Sequence, residues 1–211
     1  MKKIILFFSL FLFASNVMAQ IYTFEFTGHV YSAGGALAWR PEPLRDIVGQ
    51  NFTGRFRYDD AVVPIIENPD TIYTRYYYNQ NTSVEISLDE LSITYLNKPV
   101  EIIVDNNHYE PRPRQYYDFF SYSFTTNISD FGPAKYQIYF LDTTGAVFNS
   151  FALPTSFNVS DFDTNVFNIY MGTDEHPIHF YGQIINVELI PEPTALALLA
   201  LGTLCLRRKQ N

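Results

Sequence analysis

Two imidazoles stand three residues apart in His176-Pro177-Ile178-His179, and two carboxylates stand two apart in Asp161-Phe162-Asp163-Thr164-Asn165. Each pattern raises the question of a metal. In an extended chain a spacing of three sends the imidazoles to opposite faces, and the proline stiffens that geometry, so the histidine pair reads as a turn tip rather than a zinc site. The aspartate stretch copies the opening of a calcium loop. It then places Val166 where the sharp turn needs glycine, and Gly172 where a bidentate glutamate belongs. Asp161 and Asp163 stay as calcium candidates outside that frame, and no other metal or cofactor is expected.

Nucleophilic chemistry has no visible carrier. The chain contains no G-x-S-x-G elbow and no H-E-x-x-H helix, and its single cysteine, Cys205, lies close to the C-terminus. Paired carboxylates of the glycosidase kind need only meet in space, so 21 acidic side chains between residues 20 and 190 form no pattern by themselves. The expectation is a protein that is not an enzyme. Aromatic rings offer a different chemistry, since a sugar can lie on a flat ring beside polar groups. Trp39, in Ala38-Trp39-Arg40-Pro41, and Tyr73, Tyr76 and Tyr78, in an almost unbroken tyrosine run, are the candidate glycan contacts.

The elements that must position these side chains are strands. Phe52, Gly54, Phe56 and Tyr58 alternate with Thr53, Arg55, Arg57 and Asp59, a period of two with one apolar face. The same alternation runs through Tyr22 to Phe26, Val84 to Leu88, Leu91 to Tyr95, Phe120 to Phe124, Tyr136 to Phe140 and Ile185 to Leu189. Stretches 72–78, 100–104 and 166–171 are apolar or aromatic on both faces and read as further strands. Gly34-Gly35, Asn68-Pro69-Asp70, Asp105-Asn106-Asn107 and Thr143-Thr144-Gly145 punctuate them. With 16 Tyr and 19 Phe, and one short helical stretch near Val159 to Phe162, the expected fold is all-β: an antiparallel β-sandwich of about nine to eleven strands.

The two ends read differently. Lys2 and Lys3 precede an apolar run from Ile4 to about Ala14, and Val17-Met18-Ala19 supplies small-residue spacing for cleavage between Ala19 and Gln20. That is the pattern of a secretory signal peptide over 1–19. Residues 20–190 form the body, with 9 basic and 21 acidic side chains and a net charge of −12, which repels nucleic acid and excludes it as a partner. The body has no cysteine, so an exported domain would rest on its core alone. Four N-x-S/T sequons, at Asn51, Asn81, Asn127 and Asn158, matter only in a host that glycosylates them. In 191–211, Pro191-Glu192-Pro193 stops the strand pattern, 194–206 is uncharged and mostly apolar, and Arg207-Arg208-Lys209 closes it. As a helix the apolar stretch is about 20 Å long, a short transmembrane segment whose basic stop would stay in the cytoplasm with the body outside.

This ending resembles the PEP-CTERM sorting domain of Gram-negative bacteria, also labelled the ice-binding protein C-terminal domain. The resemblance implies that Pro191, Glu192 and Pro193 are read by exosortase, a membrane protease. It also implies a transient anchor behind them and a destination in extracellular polysaccharide and biofilm matrix. Phe52 to Asp59, Leu141 to Gly145 with Ala152-Leu153-Pro154, and Ser160 to Asp163 look like domains that precede such tails, which implies a β-rich body and no particular activity. The expected protein is therefore exported to the cell envelope, surface or matrix. It is structural or adhesive there, with an exosortase-type protease and extracellular polysaccharide as partners. A carbohydrate-binding module of the cell surface is the alternative, and a glycan-active enzyme comes behind it.

Overall fold

The structure, a computed structural model, describes residues 20–35, 46–67, 75–88, 91–110, 115–128, 132–172 and 177–191. Nine strands follow one another: β1 (Ile21–Gly35), β2 (Asn51–Asp59), β3 (Ile65–Glu67), β4 (Arg75–Leu88), β5 (Leu91–Glu110), β6 (Gln115–Ile128), β7 (Gly132–Asp142), β8 (Thr164–Gly172) and β9 (Pro177–Ile190). All pairings are antiparallel, in the order β2-β1-β9-β8-β7-β6-β5-β4-β3. One further pairing decides the architecture. β2 also pairs with β4, from Phe52 opposite Leu88 to Phe56 opposite Val84, so the sheet closes on itself.

The result corrects the expected sandwich. Eight strands form a closed up-and-down barrel, each beside its neighbours along the chain, and β3 is a short flap on the far end of β4. The period-two pattern is the same in both architectures, since each has one inward and one outward face. What separates them is whether the first and last strands of the sheet find a partner. The expected C-terminal transmembrane helix has no counterpart among the described residues, where no helix is long and apolar enough to cross a membrane. The apolar stretch 194–206 itself lies outside the described residues. The only helical element described is a 3-10 turn at Val159–Asp161, where the sequence places its short helix.

Inward positions carry the apolar phase of the barrel strands, much of it aromatic, including Phe24 and Phe26 of β1, Phe56 and Tyr58 of β2, Phe120 and Tyr122 of β6, and Phe140 of β7, all essentially inaccessible. An eight-stranded barrel is just wide enough for side chains to fill. Here rings fill it, with centroid separations such as 5.2 Å for Phe24–Phe56 and 5.1 Å for Phe56–Tyr122. Space for such rings comes from glycines in the wall. A Cβ on Gly182 would sit 2.3 Å from the Phe52 ring, and one on Gly54 would sit 2.3 Å from the Phe26 ring. The wall thus alternates large and absent side chains so that two phenyl rings fit across it.

The 21-residue connection 143–163 closes one end. It lowers Leu153, Phe157 and Phe162 into the core, with Phe157 edge-on to Phe24 and Phe120. Core tyrosines reach up to it: Tyr58 donates its hydroxyl to the Pro154 carbonyl, Tyr78 donates to the Phe151 carbonyl at 2.7 Å, and Tyr76 stacks on Phe151 at 4.3 Å. Outward, β1, β2 and β4 show Glu25, Arg55, Arg57 and Glu85. That polar exterior and apolar interior reverse the pattern of a barrel whose wall faces lipid.

Candidate functional site

Three places in the barrel bring polar or aromatic groups together. The first lies under the capping connection. Asp118 and Asp142 are directly opposed on β6 and β7, and both are buried. Their oxygens are committed to backbone. Asp118 accepts the N–H groups of Asn107 and Phe148 at 2.8 and 2.5 Å, while Asp142 accepts those of Thr144 and Ala146 at 2.9 and 2.8 Å, together with the Thr144 hydroxyl. Burial works to raise the Asp142 carboxyl, but these donors outweigh it and hold its pKa below the ordinary value. Asp163 accepts both the N–H and the hydroxyl of Thr143, whose hydroxyl is the larger cause of its own lowered pKa. Asp161 accepts the side-chain amide of Asn158 at 2.8 Å. The two calcium candidates therefore stand at the two ends of one turn, each spent on a local hydrogen bond. Among the described residues no three metal-binding side chains gather.

The second place concerns the tyrosine candidates. Tyr78 is buried and Tyr76 is packed under Phe151, so both rings belong to the capped end of the barrel. Burial pushes the Tyr78 phenol up to about 12. Trp39, Tyr73, Ala19, Glu192, Pro193, Arg207, Arg208 and Lys209 lie outside the described residues. Gln20 begins them, its backbone N–H donated to Asp60 at 2.9 Å. Pro191 ends them just past β9, exposed.

The third place was not singled out by its sequence. On the outer wall, where β1, β9, β8 and β7 run side by side, four tyrosines and a histidine form a continuous plaque. Tyr181 is its centre, opposite Ser32 on one side and Asn168 on the other. Its ring lies 5.4 Å from His179, 6.0 Å from Tyr170 at 89°, and 6.4 Å from Tyr31. Tyr31 is exposed at 49% because it is the extra residue of a β-bulge between Val30 and Ser32, which turns it out of the wall. His179 lies flat on β1 because its neighbour there is Gly34: a Cβ at that position would fall 2.2 Å from the imidazole Nε2.

Between the rings is a polar floor. Asn168 faces outward yet is only 2% exposed, and Ser121 only 1%, because the surrounding rings and the Gln137 amide lie over them. Gln137 donates to Ser121 at 3.0 Å. The Asn168 amide bonds the Tyr139 hydroxyl, while its Oδ1 is buried with no partner. Burial is the main cause that raises the Tyr139 phenol, and burial followed by the hydrogen bond with Tyr181 pushes Tyr170 up to about 12. Both phenols are neutral donors at ordinary pH. The region is also free of carboxylates: 26–35, 119–128, 132–141, 164–172 and 177–186 hold a single charged side chain, Lys135, in a body of net charge −12. That gap in charge, with Tyr, His, Gln and Asn on the polar phase of β7 to β9, is the sequence signal that could have found the plaque.

The fold and plaque together define an up-and-down barrel with a tightly filled interior and an uncharged aromatic platform on its outer wall. No known family model, curated protein or solved structure matches the chain.

Proposed function

We propose that this chain is an exported, non-enzymatic surface or matrix protein whose barrel wall binds polysaccharide. The observation that carries this reading is the plaque of Tyr31, Tyr139, Tyr170, His179 and Tyr181 over the buried Asn168. Flat rings accept the C–H face of a pyranose, while neutral phenols and amides between them serve its hydroxyls as donors and acceptors. Its rings are spread over four neighbouring strands, from Tyr31 of β1 to Tyr139 of β7, which suits an extended chain better than a small molecule. Its lack of carboxylates inside an acidic body favours a neutral glycan, since an anionic one would be repelled by the rest of the surface.

Export and sorting rest on the chain ends. The signal-peptide pattern over 1–19 and the likeness of Pro191-Glu192-Pro193 and its basic stop to an exosortase substrate support delivery to the surface or matrix, where such glycans are. A non-enzymatic role is supported by Asp118 and Asp142: the one pair of facing buried carboxylates described is consumed by backbone donors, which leaves it unsuited to acid and base work.

Electrophoresis of the protein through gels carrying neutral or anionic polysaccharides tests the reading. Retardation by at least one neutral polysaccharide, lost in Tyr181→Ala, is the expected result. Migration unaffected by every polysaccharide would refute it.

A further inference from the structure

The rings of the outer wall continue past the plaque. Phe119, half-buried on the outward face of β6, lies 6.0 Å from Tyr139 and is inclined to it by 41°. Tyr31 and Tyr181 are inclined by a similar 32°, whereas Tyr170 and His179 stand at 89° and 63° to Tyr181. Two shallowly inclined pairs, Tyr31 with Tyr181 and Tyr139 with Phe119, are thus flanked on one side by two steep rings.

Strand register sets the direction of this line. Straight across the wall from Tyr181 come Asn168, Gln137, Ser123 and Glu101, none of them a ring. Along β9 the next outward residue is Gln183, exposed. The rings step diagonally instead: Tyr139 is two residues past Gln137 on β7, and Phe119 stands opposite Leu141, two residues further, on β6. Each step climbs toward the capped end. On the strand after that, Asp105 stands opposite Phe119, buried in its ion pair with Arg75 at 2.8 Å, and these are the first charges on the path. Four gaps between strands and a climb of four residues, Asn168 to Thr164 on β8, give a line of roughly 23 Å.

We infer that this diagonal is a glycan track: an extended neutral polysaccharide lies across the strands over about four or five consecutive sugars, with Phe119 as its far contact. Resting on the platform reading above, the track adds to it a direction, a length and a residue. Rings along the line take the C–H faces of successive sugars, while the Gln137 amide and the Tyr139 hydroxyl beside it serve their hydroxyls. A chain laid straight across would leave the rings after Tyr181 and run to the Glu101 carboxylate. One laid along β9 would leave them at Gln183.

Calorimetric titration with a ladder of oligosaccharides, cut from a neutral polysaccharide that retards the wild-type protein in gels, tests the track. Affinity is expected to rise with length and to level off at about five units. Phe119→Ala is expected to weaken binding of oligosaccharides of about five units or more by about tenfold, and that of three-unit ones by less than about twofold, while Tyr181→Ala weakens both. Phe119→Leu keeps apolar bulk on the wall without the ring and is expected to match Phe119→Ala. Glu101→Gln, on the straight path, is expected to bind as wild type does. Affinity that levels off at two or three units, long oligosaccharides indifferent to either Phe119 substitution, or a tenfold change in Glu101→Gln would each overturn the track and leave the platform standing. Wild-type protein retarded by no neutral polysaccharide would overturn both.

Discussion

Single residues hold this barrel in shape by being absent or by being saturated. Gly182 is the sharpest case of the first kind. Its missing side chain is the space occupied by Phe52, so Gly182→Ala forces a core ring or a strand to move and should cost ~1–3 kcal/mol. Chemical denaturation would show this as a lower midpoint with an unchanged slope; an unchanged midpoint would mean that the ring has room to retreat. Asp142 is a case of the second kind. Its folded pKa is depressed, so its contribution to stability is complete above the ordinary value of 3.8 and is lost as pH falls through the lower folded value. Asp142→Asn should therefore be less stable than wild type at neutral pH, and the gap in melting temperature should narrow below about pH 4. A gap of constant size from neutral to acid pH would assign the loss to packing instead.

At the scale of elements, the capping connection 143–163 decides more than its lack of regular structure implies. Phe157 sits among Phe24, Phe56, Phe120 and Phe140, so it is a core residue supplied by a loop. Phe157→Ala should lose ~3–5 kcal/mol, as much as a strand phenylalanine would. A loss under about 1 kcal/mol would show that the barrel end closes without it. This element was only partly legible in sequence. Period-two strands such as Phe52 to Tyr58 and Tyr136 to Phe140 stand where alternation puts them, and Leu88, which ends one alternating run, pairs with Leu91, which opens the next. Phe157 and Leu153 belong to no repeat, so nothing local marks them as buried. Tyr76 and Tyr78 attract attention as a tyrosine run, but the run sits where β4 passes under the cap: the Phe151 ring stacks on Tyr76 and the Phe151 carbonyl accepts the Tyr78 hydroxyl.

At the scale of the whole molecule, closure was invisible in sequence because it depends on pairings no local pattern marks, the first strand β1 with the last, β9, and β2 with β4 across the short β3 flap. Alternation fixes which face is inward without saying whether the inward faces belong to two sheets or one. The plaque escaped for a related reason: Tyr31, Tyr139, Tyr170 and Tyr181 come from four strands and meet only once the sheet has its order. Gln20 and Pro191, which bound the described body, lie at the capped end, where β1 begins and β9 finishes, whereas Tyr31, Tyr170 and His179 of the plaque lie toward the other end of their strands. Closure itself predicts that amides of Phe52 to Phe56 exchange with solvent as slowly as those of central strands; fast exchange there would mean an open sheet.

The outer wall is the proposed glycan platform. Calorimetric titration with the neutral polysaccharide that retards the protein most, on wild type and on Tyr170→Ala, Tyr181→Ala and Tyr78→Phe, tests it most directly. Each of the two plaque substitutions is expected to weaken binding about tenfold or more, while Tyr78→Phe, altered under the cap, is expected to bind as wild type does. Binding that survives both plaque substitutions, or that is lost only with Tyr78→Phe, would contradict it.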